Sequence, residues 1–223
     1  MCIHTQVESV VLFWVLLRDV LLRMMPSARI PYDGTATFAD IGCGSGRALV
    51  AAALLPFILS ADDGNDDGND DEDNAESAEA SFFAQCYGVE ILAPLAEAAV
   101  TAGEKLAAMG EVIGDGMNYV DNVARRGGKL LVECGKLEES IESWAGCDVV
   151  YAASTCFSKA LLGAVIENAA QNMRPGALLI SLRMPDQDTE YARTLARAFE
   201  PEVSLGPYFM SWGSSVVHCF VKK

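Results

Sequence analysis

Phe38-Ala39-Asp40-Ile41-Gly42-Cys43-Gly44-Ser45-Gly46 is the stretch whose reading decides the fold. An apolar, strand-like lead reaches an acid, three glycines follow at alternate positions, and a helix-forming run over 47–55 opens at once. Glycine alone enters positive φ freely, and a helix N-terminus presents unpaired amide groups. Strand, tight loop and helix start therefore make a cradle for a nucleotide or a cofactor. The spacing narrows the choice, because a dinucleotide fingerprint counted from Gly42 needs its third glycine at position 47. Arg47 stands there, and the third glycine comes one residue early, at Gly46. A glycine turn that serves packing alone is the competing reading.

Outward from that run the chain alternates strand and helix patterns. Strands read over 37–41, 82–90, 129–134, 148–153 and 177–182, and helices over 46–59, 93–109, 157–173 and 190–199. A further helical stretch reads over 117–126, and the tail carries two strand-like runs on either side of Trp212-Gly213. This alternation predicts a Rossmann-like, doubly wound α/β sheet of seven strands, mostly parallel with an antiparallel C-terminal edge. Residues 1–35 read as an N-terminal helix, stopped by Pro26, and a linker; 36–223 form the ligand-binding domain. Its segment 60–80, with Asp-Asp-Gly-Asn repeats, holds too little apolar surface to offset the entropy of ordering. It is expected as a disordered acidic insertion between the first helix and the second strand.

The 223 residues, 51% of them hydrophobic, suit one domain with a single large core. No apolar run reaches the ~18–20 residues of a membrane helix, so no membrane partner is expected. Seven cysteines are scattered with no Cys-x-x-Cys pair, and only His4 and His218 accompany them, so no metal pattern can be drawn. That usage suggests reduced thiols and an intracellular home, cytoplasm or nucleus. Of the net charge of −15, ten acids lie within 62–79; without them the balance is −5. An acidic chain repels polyanions, which weighs against nucleic acid as the main partner.

Ligands of open parallel sheets sit at the carboxyl ends of the strands. The second strand ends in Tyr87-Gly88-Val89-Glu90-Ile91. A carboxylate takes hydrogen bonds from two vicinal hydroxyls, so Glu90 suits a ribose, and Ile91 would press one face of an adenine. Glu90 lies 44 positions after Gly46, and removal of the 21-residue insertion leaves 23. The expected interval between glycine loop and ribose acid is about 20. The third strand ends in Gly135-Lys136-Leu137-Glu138, where backbone groups near Leu137, or Glu138 itself, would meet the adenine. After the fourth strand, Ser154 and Thr155 offer a polar slot that orients an acceptor, with Phe157 as its wall. A helix N-cap at Ser154 or Thr155 is the other reading of those hydroxyls.

The glycine spacing, with Asp40 two residues ahead, resembles motif I of the class I S-adenosylmethionine (SAM) methyltransferases. The resemblance extends over about 36–223 through Met173-Arg174-Pro175-Gly176-Ala177. It implies SAM as cofactor, held by Asp40, Gly42, Cys43, Gly44, Gly46, Glu90, Ile91 and Leu137, with Asp40 drawing the ammonium of its methionine half. Ser154, Thr155 and Phe157 then face the methyl acceptor. Within that superfamily the chain is most similar to the non-SET histone-lysine methyltransferases of the disruptor-of-telomeric-silencing type. The features that resemble them are Tyr87-Gly88-Val89-Glu90, the long stretch 93–135, Val150-Tyr151-Ala152-Ala153-Ser154, and Met210-Ser211-Trp212-Gly213 with the strand after it. An upstream loop closing over SAM is hinted at Tyr32-Asp33-Gly34. Ala153 and Ser154 replace that family's amides, and Lys136 replaces an acid. The resemblance implies methylation of an amino group on a basic, histone-like protein lysine. Readings that remain open are RNA, DNA or a small molecule as acceptor, and a non-catalytic SAM-fold interaction protein.

Overall fold

The computed structural model describes residues 3–31, 33–55, 82–112, 129–210 and 213–223. The acidic insertion at 60–80, the helical stretch at 117–126, Tyr32 of the upstream loop and the Ser211-Trp212 pair lie outside the described residues. The elements run α1 (Ile3–Met24), β1 (Ala36–Ile41), α2 (Arg47–Ala53), β2 (Phe83–Glu90), α3 (Ala93–Val112) and β3 (Lys129–Cys134). They continue through α4 (Ile141–Ala145), β4 (Val149–Ala152), α5 (Lys159–Asn172), β5 (Leu178–Ser181), α6 (Glu190–Ala198), β6 (Val203–Met210) and β7 (Gly213–Val221).

The seven strands form one sheet in the order β3-β2-β1-β4-β5-β7-β6. β1, β2, β3, β4 and β5 pair in parallel, while β7 runs antiparallel to β5 and β6. Since β1 pairs with β2 on one side and β4 on the other, the chain reverses its direction of travel across the sheet there. That reversal opens a crevice at the carboxyl ends of β1 and β4.

Period-two alternation sorts the side chains onto two faces. Phe38, Cys86, Val149 and Tyr151 point to the side covered by α1, α2 and α3. Ala39, Ile41, Val150 and Leu179 point to the side covered by α4, α5 and α6. α1 delivers Leu16, Leu17, Val20 and Leu21 to the first of these cores, all fully buried, and Tyr208 of β6 hydrogen-bonds Asp19 to hold the helix in place. At the opposite end of the sheet Asp148 takes the amide and hydroxyl of Thr37 (2.7 and 2.9 Å) and pairs with Arg174, fixing β4 against β1.

Element bounds differ from the sequence reading where tertiary contacts intervene. α2 ends at Ala53, because Leu55 is drawn off the helix axis and its carbonyl takes the amide of Phe82 (2.8 Å) at the start of β2. α5 begins at Lys159, and its N-cap is Ser158, whose hydroxyl accepts from the Leu161 amide (3.1 Å); Ser154 and Thr155 do not cap it. The short helix α4 was not legible, since five residues carry too few turns for periodicity. It exists because Trp144 is fully buried, with its indole N–H donating to the Leu137 carbonyl (3.3 Å).

Candidate functional site

The loop after β1 is bent by its neighbour strand. The amides of Gly42 and Cys43 both donate to the Val89 carbonyl (2.8 and 3.1 Å), folding the chain over β2. Gly42, Gly44 and Gly46 have φ of 71°, 55° and 80°. At Gly46 a Cβ would lie 2.9 Å from the Ala99 Cβ, so α3 can pack here only against a bare backbone. At Gly44 a Cβ would meet nothing within 4 Å, and the loop faces open space. The glycines thus divide the work: Gly46 admits the helix behind, and Gly44 leaves room for a ligand in front.

Two acids flank the loop, in different states. Glu90, 6% exposed, takes the Gly44 amide on Oε2 (2.8 Å) and the Leu92 amide on Oε1 (2.9 Å). It is a strut for the glycine loop, and a carboxylate with four acceptor positions keeps about two for a ligand. Asp40, 2% exposed, has no hydrogen-bond partner for its buried Oδ1 among the described residues. Burial first, and the Glu90 charge second, push its pKa up to about 8. Burial and the same two carboxylates also push the Cys43 thiol up, leaving it a small apolar contact rather than a nucleophile.

In front of Asp40 lies a cleft of about 310 Å³, within the roughly 300–1,000 Å³ typical of ligand sites. Of the residues expected at the cofactor, Asp40, Gly42, Cys43 and Gly44 line it. Gly46 and Glu90 sit behind the loop, and Ile91, 65% exposed, stands beyond the end of β2. Leu137 does not reach the cleft: its side chain is buried in the core under Trp144, and its carbonyl is taken by the indole.

The turn after β4 also departs from expectation. Ser154 is fully buried, and its hydroxyl donates to Ser181 Oγ (2.8 Å), which in turn donates to the Arg183 carbonyl (2.8 Å). Thr155 is exposed and outside the cleft lining. One expected hydroxyl is therefore engaged between β4 and β5, and the other belongs to a residue outside the cleft lining. Phe157 does approach the loop, its ring lying over Gly42, where a Cβ would come within 3.1 Å of Cε1. The Arg183 guanidinium holds the Phe157 carbonyl (3.2 Å).

Sequence reasoning missed the far wall. Ser9, Leu12 and Phe13 of α1, Arg47 of α2 and Met210 of β6 all line the cleft. Arg47 Nη1 donates to Ser9 Oγ (3.3 Å), which ties the helix after the glycine loop to α1. No local pattern marks these residues; only Arg47, next to the loop in sequence, carried a signal. Among the described residues no group of three or more His, Cys, Asp or Glu side chains could hold a metal ion, and no helix is long and apolar enough to cross a membrane.

No family model matches the chain, and no curated protein matches it. Among solved structures it is similar to a magnesium protoporphyrin IX methyltransferase from Synechocystis PCC 6803 with bound SAH. The TM-score is 0.52 at 11% identity, covering 97% of this chain and 86% of that one. It is also similar to an O-methyltransferase from Bacillus cereus in complex with SAH (TM-score 0.51, 13% identity, 97% and 81% covered). A third is a precorrin-6y C5,15-methyltransferase from Geobacter metallireducens (TM-score 0.50, 12% identity, 92% and 87% covered). None of these three is a histone methyltransferase. At such identities the likeness is one of fold, and the chain has the Rossmann-like fold of these methyltransferases.

Proposed function

We propose that the chain is a SAM-dependent methyltransferase acting on a small molecule. The observation that carries this reading is Asp40, a buried carboxylate whose Oδ1 has no partner among the described residues, beside a glycine loop that is open at Gly44. A lone buried acid destabilises a fold, and such a group finds its counter-charge in a ligand. Arg47 lines the same cleft. Asp40 and Arg47 together offer opposite charges to the ammonium and carboxylate of an amino-acid moiety, which the methionine half of SAM possesses. Glu90 holds the loop while retaining acceptor capacity for ribose hydroxyls, and Ile91 offers an exposed apolar surface to the adenine.

When bound, the cofactor supplies an electrophilic methyl on a sulfonium sulfur. The protein's contribution to an in-line transfer is alignment and exclusion of water. Phe13 on α1 closes one side of the cleft, and the Phe157 ring supports the glycine loop at Gly42. The similar structures, named as porphyrin-, precorrin- and O-methyltransferases, support a small acceptor. The lysine acceptor finds no support at the β4 turn, where Ser154 is turned inward and Thr155 lies outside. Calorimetric titration of the protein with SAM and with SAH tests the reading: saturable one-to-one binding of both is expected. Failure of both to bind would sink it, and binding with no transfer of labelled methyl to any cell-extract fraction would leave a binding protein instead.

A further inference from the structure

The glycine loop is held from two sides. Three of the five residues 42–46 are glycine, so once released the loop has more backbone freedom than other residues would allow it. On the β2 side the Val89 carbonyl and the Glu90 carboxylate take the amides of Gly42, Cys43 and Gly44. On the other side stands the Phe157 ring, against Gly42.

Phe157 is itself held at both ends of its backbone. Its amide donates to the Ser154 carbonyl (3.1 Å), and its carbonyl accepts from Arg183 Nη1 (3.2 Å). Arg183 is fixed in turn by Ser181, the last residue of β5. The Ser181 hydroxyl donates to the Arg183 carbonyl (2.8 Å) and accepts from the Arg183 amide (3.3 Å). That use of the single Ser181 proton makes Ser154 the donor in the 2.8 Å contact between the two hydroxyls. The four residues thus close a ring that ties the turn after β4 to the turn after β5, with Ser154 and Ser181 buried. Arg183 does not line the cleft. Immobilising so long a side chain takes back much of the free energy that one hydrogen bond to a carbonyl returns, so the contact adds little to the stability of the fold.

We infer that Arg183 is a positioning residue of the cofactor site, acting through Phe157 to press on Gly42 and keep the glycine loop in the shape that accepts a ligand at Gly44. The identity of that ligand rests on the proposed SAM-dependent reading. A loop already in its binding shape loses less freedom when the ligand arrives, and the ligand binds more tightly by that difference. Without Arg183, Phe157 keeps one of its two backbone anchors, its ring leaves Gly42 more often, and the loop opens more often with it. The fold persists, because β2 still holds the loop from its own side.

The test is Arg183→Met, which keeps the aliphatic stem and removes the donors, read by amide hydrogen exchange and by calorimetric titration of the full chain with SAH. Exchange over 42–46 should be several-fold faster in the ligand-free variant. SAH should bind roughly three- to tenfold more weakly, the share of one hydrogen bond passed on to the loop, while melting temperature stays within about 2 °C. Arg183→Lys, which retains a donor, should recover part of both losses. In a Phe157→Leu background, Arg183→Met should change neither quantity further, since the contact through which it acts is gone. Unchanged exchange over 42–46, equal SAH affinity, or an undiminished effect in the Phe157→Leu background would each overturn the inference. Faster exchange in a chain whose wild type binds no SAH would refute the cofactor reading and leave the positioning of the loop standing.

Discussion

Asp40 sets the chemistry of this molecule at the scale of a residue, because its buried Oδ1 has no hydrogen-bond partner among the described residues. A carboxyl whose pKa is raised by folding holds its proton where the unfolded chain, with a carboxyl near about 4, has already lost it. The native state then binds more protons than the unfolded state between about pH 4 and about pH 8, so stability contributed through Asp40 falls as pH rises across that window. Asp40→Asn removes the penalty. It should raise the melting temperature of the ligand-free protein at neutral pH and flatten its pH dependence, as scanning calorimetry will show. The same substitution should cost SAM at least about tenfold in affinity, the worth of a charge-assisted hydrogen bond. Since an ammonium selects the ionised acid, SAM should bind more tightly as pH rises, approaching tenfold per unit below about pH 8 and levelling off above it. An affinity unchanged across that range would show that Asp40 does not meet the cofactor.

At the scale of an element, the glycine loop and α1 carry separable loads. Gly44→Ala and Gly46→Ala both place a side chain at positive φ, a strain of about 1–2 kcal/mol. Only the second also drives a Cβ into Ala99 of α3. Gly46→Ala should therefore be the more destabilising in denaturant titration, while Gly44→Ala should fold well yet lose SAM, its methyl occupying the open face. The reverse order would contradict the division between a packing glycine and a ligand glycine. α1 is structural and functional at once, since Phe13 packs on Phe38 and Tyr151 while lining the cleft. Phe13→Ala should lower stability by about 3–5 kcal/mol, as for other buried rings, measurable in the same titration.

For the whole molecule, the sheet order and the position of the acidic segment set what can be changed freely. Leu55 and Phe82 are joined by a backbone hydrogen bond, so the two ends that flank 56–81 meet. Replacement of 58–79 by a short Gly-Ser linker should keep both melting temperature and SAM affinity, because loop length adds little closure entropy. It also removes ten acids. A loss of SAM binding on that replacement would assign the segment to the site.

What the sequence determined by itself is local. A strand followed by glycines at two-residue spacing, an acid at the end of the next strand, and helical stops such as Arg174-Pro175-Gly176 are set by backbone sterics and short-range periodicity. They sufficed for the doubly wound sheet with its antiparallel edge, and for Asp40, Gly42, Cys43 and Gly44 on the cleft. What only the tertiary structure decided is which way side chains at the strand ends face, and what covers them. Ser154 was read as an acceptor ligand, yet Ser181, 27 residues on, claims its hydroxyl. Leu137 was read as a cofactor contact, yet Trp144 draws it into the core. Ser9 and Phe13 reach the cleft only because α1 packs on the first face of the sheet, and Met210 because β6 forms the antiparallel edge beside β7. Such placements follow from packing between segments far apart in the chain, and no pattern within any one segment encodes them.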